Sequence, residues 1–518
     1  MKDKYVSPLC ERYADEKMQK IFSPDNRYST WRKLWVALAE SEKQLGLNIT
    51  DAQIEELKAH IYDIDYEKEA EYESKLRHDV MAHIYAYGDV CPDARAIIHL
   101  GATSCYVTDN ADILLMREGL CEIRTLLVNA IAAVSDFAEK YKGLPILAYT
   151  HFQAAQPTTL GKRATLWLND LVEDLKRLDF ELGNLKFFGC KGTTGTGASF
   201  LQLFDDEEKV FALEKLIAEK FGFTEVVPVS GQTYSRKIDA YVLDVLSDIA
   251  QSAAKFSSDI RLMCHMKEVD EPFETKQIGS SAMAYKKNPM RSERVASLAR
   301  YVMIDALNPA ITEAQQWLER TLDDSANKRI SVPEAFLATS GILNLYINVI
   351  SGLRVYDKVI KKNLDRELPF MATENILMYL VEEKGFDRQV AHEKIRVHAI
   401  AAGEHVKVEG GDNDLLSRLI GDRELGLTAE EIEKICDAHG FCGLAVLGYP
   451  HLPRLGGSLH RAEKQRPLAV FPRLRGPAIP RELNFYISPG FRHAPNFYGL
   501  LALEHHVVRK DARKFDFC

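Results

Sequence analysis

Between Gly279 and Arg294 the chain reads Gly-Ser-Ser-Ala-Met-Ala-Tyr-Lys-Lys-Asn-Pro-Met-Arg-Ser-Glu-Arg. This short stretch holds a glycine, adjacent hydroxyls, two lysines, an amide and two arginines. An ordinary surface loop does not need that set. A site that removes a proton next to a carboxylate does. It requires a mobile base, cations for the charge that develops, and an amide to orient the substrate.

Four other segments carry residues of the same kind. In Arg77-His-Asp-Val-Met-Ala-His83 a helix would put Arg77 and Val80 on one face. Consecutive Arg77 and His78 can hold a phosphate from two directions; a solvated charged turn is the plainer reading. In Leu100-Gly-Ala-Thr-Ser-Cys105 the hydroxyls and amides of Thr103 and Ser104 can grip a carboxylate, or cap the following helix, or both. In Tyr149-Thr-His-Phe-Gln153, His151 falls on a connection between long helices. There an imidazole is placed for proton transfer near neutral pH. A lone histidine is more often structural, but Thr150, Gln153 and Gln156 add donors that packing does not need. In Glu319-Arg-Thr-Leu-Asp-Asp-Ser-Ala-Asn-Lys-Arg329, Arg320, Ser325 and Arg329 suit a phosphate or carboxylate; the alternative is a helix end with surface ion pairs. A glycine-rich run, Lys191 to Ser199, lacks the lysine spacing of a nucleotide-triphosphate loop and reads as a wall of a site.

Long helices must position these segments. Apolar residues recur in steps of three and four at Ile113, Leu120, Ile123, Leu127, Ala130, Val134, Phe137 and Tyr141. A second stripe runs from Ala164 to Leu185 and a third from Ile238 to Met263. Such seams pack long, nearly parallel helices. An earlier helix is predicted from Thr30 to Gly46, with Ser29 or Thr30 as its cap. No convincing alternating strand pattern competes. The expected fold is all-α, with a central bundle whose exposed seams are shared between subunits. Composition shifts divide the chain into an N-terminal helical domain (1–110), the bundle (111–356), a smaller helical domain (357–443) and a divergent Pro/Arg-rich tail (444–518). The tail holds 8 of the 19 prolines and carries 12 Lys/Arg against 5 Asp/Glu. That composition fits a disordered or aberrant appendage; the alternative is a basic arm that binds a partner.

The 518 residues exceed one compact core, and 46% apolar with 27% charged residues is ordinary for a globular protein. A net charge of −9 argues against a global nucleic-acid surface and leaves room for a local basic pocket. No apolar signal core follows Met1 and no uninterrupted apolar run is long enough for a bilayer, so a cytoplasmic location is expected. The nine cysteines form no Cys-x-x-Cys pair. Cys436-x-x-His439-x-x-Cys442 fits no common zinc spacing, so no metal is expected.

The loop after Gly279 resembles the Gly-Ser-Ser-x-Met-x-x-Lys-x-Asn-Pro signature of the fumarase/aspartase superfamily. With Arg12-Tyr13, Arg77 to His83, Gly101 to Ser104, Thr150 to Gln153, Gly231-Gln-Thr-Tyr234, Met290 to Arg294 and Thr321 to Asn327, the chain resembles the adenylosuccinate lyase family from about Tyr5 to Gly443. The resemblance implies a three-domain lyase architecture and a homotetramer whose sites draw on three subunits. It implies no cofactor and small anionic nucleotide substrates, split with release of fumarate. It assigns Ser280 as base, with Ser281 as the neighbouring candidate, and His151 as acid. It places Lys286 and Asn288 at the charged intermediate. Arg12, Tyr13, Arg77, His78, Asp79, Thr103, Ser104, Gln232, Arg294, Arg320, Ser325 and Arg329 would bind phosphate, ribose and carboxylates. Another fumarate-releasing lyase, such as argininosuccinate lyase, and a non-catalytic helical scaffold with a basic tail are the competing readings. Ala154 and Ala284 stand where the family commonly has proline, and Gly197 replaces a bulkier polar residue.

Overall fold

The computed structural model describes residues 3–447. The reading of the tail therefore lies outside the described residues, apart from 444–447. Five long helices form the centre: Ser104–Lys140, Leu160–Asn184, Lys237–His265, Met290–Asp305 and Asp323–Gly352. The Ser104 helix packs on the Leu160 and Asp323 helices, and the Lys237 helix packs on the Leu160, Met290 and Asp323 helices. Their inner faces are the sequence stripes: Ile113, Leu120, Ile123, Leu127, Leu171, Leu178, Val242, Ile249 and Ile260 are fully buried.

Aromatic side chains lock the bundle. Trp167 meets Phe256 edge to face with centroids 5.2 Å apart, and Phe256 stacks on Tyr346 at 3.8 Å. Three helices are thereby joined, and each such burial contributes about 1.5–3 kcal/mol. Buried Asn110 is satisfied on both ends of its amide. Its Nδ2 donates to the Gly189 carbonyl (3.0 Å), and its Oδ1 accepts from the Phe188 and Gly189 amides (3.0 and 3.1 Å). One apolar core runs from Leu9 to Ile360, and a second forms between Ala372 and Ile432 around the helices Thr373–Glu382 and Arg388–Lys407.

The first long helix is Pro24–Gln44, longer than predicted. Ser23, not Ser29 or Thr30, is the cap: its side chain accepts from the Asn26 amide, and Pro24 presets the first helical φ. Ser29 and Thr30 are instead buried inside it. The Asp323 helix is long and apolar enough to cross a membrane by length and composition, but 67% of its most apolar window is buried against its neighbours. It is a core helix of the bundle.

Four short strands were not expected. Pro145–Thr150 pairs antiparallel with Gln153–Thr159, and Val269–Asp270 pairs with Arg354–Val355. The first is a hairpin rising between the Ser104 and Leu160 helices. The second fixes the root of the loop that leads to Gly279, assisted by the Tyr356 hydroxyl donating to Asp270 (2.7 Å).

Glu42 lies fully buried in the Pro24 helix, and no group among the described residues hydrogen-bonds to either of its carboxyl oxygens. Burial pushes this carboxyl up to about 8 from an ordinary 4.5. Between those values the folded chain holds a proton that the unfolded chain releases, so stability falls as pH rises through the window. Glu42→Gln is expected to flatten that slope and to raise the melting temperature at pH 8 by roughly several degrees, as read by thermal melts from pH 4.5 to 8.

Candidate active site

The Ser280 loop closes on itself at its neck. A Cβ on Gly279 would sit 2.1 Å from the Lys286 carbonyl oxygen, so this approach requires glycine. Asn288 Nδ2 donates to the Gly279 carbonyl (3.0 Å) across the same neck. Gly279 is thus needed for space, not for a left-handed φ. Asn288 uses one of its two amide N–H donors to hold the loop, and the second N–H on the same nitrogen is not needed for that bond.

Ser280 is half-buried, and its Oγ accepts from the amides of Ala282 (3.3 Å) and Met283 (3.1 Å). Two N–H groups aimed at one hydroxyl oxygen favour its anionic form. Ser281 is exposed and receives no such bonds among the described residues. The geometry therefore favours Ser280 over its neighbour as a base. Lys286 is exposed on the same loop. Just beyond, Glu271 caps the Met290 helix by accepting from the Arg291 and Ser292 amides (3.0 and 2.6 Å). Arg294 lies over the Tyr13 ring at 5.5 Å, with Arg12 exposed beside it.

A second group assembles where helices end. Arg77 and His78 are not on a helix as the sequence suggested. Arg77 ends Tyr66–Leu76 in the left-handed conformation (φ 57°), and His78 caps Asp79–Val90. His78 Nδ1 accepts from the Met81 amide (3.3 Å), which leaves Nε2 to donate to Ser104 Oγ (3.3 Å). Asp79 pairs with Arg329 (2.6 Å). His83, the last residue of that motif, is buried against Tyr28 and Trp31; burial pushes it down to about 4, so it packs as a neutral ring.

Thr103 is the backbone cap of the Ser104 helix, yet its hydroxyl makes no capping bond. The positive end of a long dipole is left for an anion. Arg320 Nη1 donates to Gln232 Oε1 (2.9 Å) and touches Cys105 Sγ. These two segments meet because Gly231 is bare: a Cβ there would sit 2.3 Å from the Glu319 carbonyl oxygen. Ser325 stands half-buried in the first turn of the Asp323 helix, between Arg320 and Arg329. Cys105 and Asp324, which pairs with Arg320 at 3.7 Å, were not singled out from sequence. Their types are unremarkable alone, and only proximity to Arg320 marks them.

His151 stands apart. The hairpin register pairs Thr150 with Gln153, so His151 and Phe152 form a two-residue turn, with φ of 52° and 56°. Two positive φ values are the type I′ pattern, which glycine and asparagine normally supply. Holding bulky residues there costs about 1–3 kcal/mol each. Both are exposed, at the tip. Among the described residues, no hydrogen bond, ion pair or ring contact joins His151, the Ser280 loop and the Arg320 group to one another. Nor does any cluster of three His, Cys, Asp or Glu side chains there have metal-holding geometry.

The bundle and its serine loop define a lyase. The family model described as Lyase matches residues 6–304. Solved structures agree in fold. The 3-carboxy-cis,cis-muconate lactonizing enzyme of Pseudomonas putida superposes with a TM-score of 0.74 at 23% identity, over 85% of this chain and 97% of that one. A fumarate lyase from Mesorhizobium sp. BNC1 gives 0.72 at 23% identity, over 86% and 98%. A second model, adenylosuccinate lyase C-terminus, matches residues 369–447. The chain is 51% identical to the adenylosuccinate lyases of Schizosaccharomyces pombe and Saccharomyces cerevisiae, over 85% and 86% of its length and 92% of theirs. It belongs to the adenylosuccinate lyase family.

Proposed function

We propose that this chain eliminates fumarate from adenylosuccinate, giving AMP, and from succinyl-aminoimidazole-carboxamide ribotide, giving the free carboxamide, in purine nucleotide synthesis. Ser280 removes the proton beside a succinyl carboxylate. His151 protonates the departing nitrogen. Lys286, Asn288 and the open end of the Ser104 helix meet the negative charge. The Arg320, Gln232, Ser325, Arg329, His78 and Asp79 group, with Arg77, Thr103, Ser104, Arg12, Tyr13 and Arg294, receives the anionic parts of the nucleotide. The observation that carries this reading is the pair of loop amides donating to Ser280 Oγ.

The lack of any hydrogen bond, ion pair or ring contact among the three groups in the described residues supports a site shared between subunits. So do the apolar side chains exposed along the bundle: Phe180 at 64%, Ile304 at 64%, Ile311 at 61% and Ile330 at 61%. Surfaces of this kind are covered in an oligomer. A homotetramer with composite sites, working in the cytoplasm without membrane or nucleic acid, is the form we propose. The test follows fumarate release from adenylosuccinate and from argininosuccinate, with the mass of the enzyme in solution. Fumarate from adenylosuccinate alone, by a tetramer, is expected. Release from argininosuccinate alone, or activity in a monomer, overturns the assignment.

A further inference from the structure

Arg236 belongs to none of the groups above. It is fully buried and opens the Lys237 helix. Its Nε donates to Asp324 Oδ2 (2.7 Å), and its Nη2 lies 3.2 Å from Asp109 Oδ2. Its guanidinium also covers the Tyr234 ring at 4.4 Å, with Asp239 at 4.0 Å from Nη1. Lys328 adds pairs to Asp109 (3.2 Å) and Asp112 (2.8 Å). Asp109 is on the Ser104 helix, while Asp324 and Lys328 are on the Asp323 helix. One guanidinium therefore ties three bundle helices together.

The substrate-binding candidates stand immediately around this cluster. Ser104 comes five residues before Asp109 on the same helix, Gln232 just before Tyr234, and Arg320, Ser325 and Arg329 flank Asp324. The second oxygen of Asp324 makes no hydrogen bond and faces Arg320 Nη2 at 3.7 Å. A buried ionic cluster is an expensive way to join helices, since apolar side chains of similar volume often hold them as well or better. What apolar groups lack is direction. A planar fork fixes where its carboxylates lie.

We propose that Arg236 is a positioning residue: it fixes Asp324, and through it Arg320 and Gln232, in the arrangement that receives the anionic end of the substrate. This rests on Arg320 and Gln232 being substrate ligands, as proposed above.

Arg236→Lys keeps the charge and loses the fork. It is expected to retain the wild-type circular dichroism and to raise KM for adenylosuccinate about tenfold or more, with a much smaller change in kcat. In an Arg320→Ala background the same change is expected to raise KM by less than about twofold, because the residue it acts through is gone. The apolar pair Arg236→Met with Asp324→Leu is the second variant, expected to melt near wild type yet show the raised KM. An unchanged KM in either folded variant, or full additivity with Arg320→Ala, overturns the proposal. So does loss of fold in the lysine variant, since Arg236 would then serve the core instead of the site. A wild-type chain that releases no fumarate from adenylosuccinate removes the underlying functional reading instead.

Discussion

Ser280→Ala is expected to bind adenylosuccinate with nearly unchanged affinity and to lose kcat by roughly 10²–10⁴, the usual share of a positioned acid or base. The hydroxyl contributes little to ground-state binding, because its oxygen is already occupied by the Ala282 and Met283 amides. Those donors matter when the oxygen carries charge, so the loss falls on turnover. Single-turnover rates measured as a function of adenylosuccinate concentration separate the two effects. Near-normal turnover would remove Ser280 as the base. If Ser281→Ala is the variant that loses turnover, the amide pair has been misread.

His151→Ala is expected to lose kcat by a similar factor, but selectively. An acid is needed in proportion to how poorly the leaving nitrogen departs. A substrate analogue with a better leaving group should therefore recover much of the lost rate in this variant, and little in Ser280→Ala. Equal loss on both substrates would sink the acid assignment. The strained turn adds a second readout. His151→Gly relaxes a positive φ, so it is expected to be at least as stable as His151→Ala while equally inactive.

The two variants together test the shared site. If Ser280 and His151 of one site come from different chains, mixing and reassembling the inactive proteins in equal amounts yields about one quarter of sites with both residues intact. If both come from one chain, every site lacks one of them and activity stays absent. Recovery is expected, since no hydrogen bond, ion pair or ring contact joins the two groups within the chain among the described residues.

Several features were legible because they are local. The Ile238 to Met263 stripe is buried almost residue for residue, since a sustained three–four step leaves a helix one way to hide its apolar face. The start of the Pro24 helix was missed because its first turns, Asp25 to Tyr28, are not apolar in pattern; the Ser-Pro pair was the available signal. The hairpin was missed because Gln153-Ala-Ala-Gln-Pro-Thr-Thr does not alternate, and His-Phe is no turn signature. Arg77 was placed on a helix by period alone, while the cap at His78 breaks it.

The sequence by itself determined which chemistry was possible: a serine beside lysines and an amide on a loop, an imidazole on a connection, arginines flanking a helix start. Side-chain type and short spacing are written in consecutive residues. Only the tertiary structure decided which of them meet. Arg236 reaches Asp109 across 127 positions and Asp324 across 88, and Gln232 meets Arg320 because a bare glycine lets two backbones touch. The same packing holds His151 on a strained tip, and no hydrogen bond, ion pair or ring contact joins it to the Ser280 loop among the described residues, because the hairpin register fixes one segment and the close neck at Gly279 fixes the other.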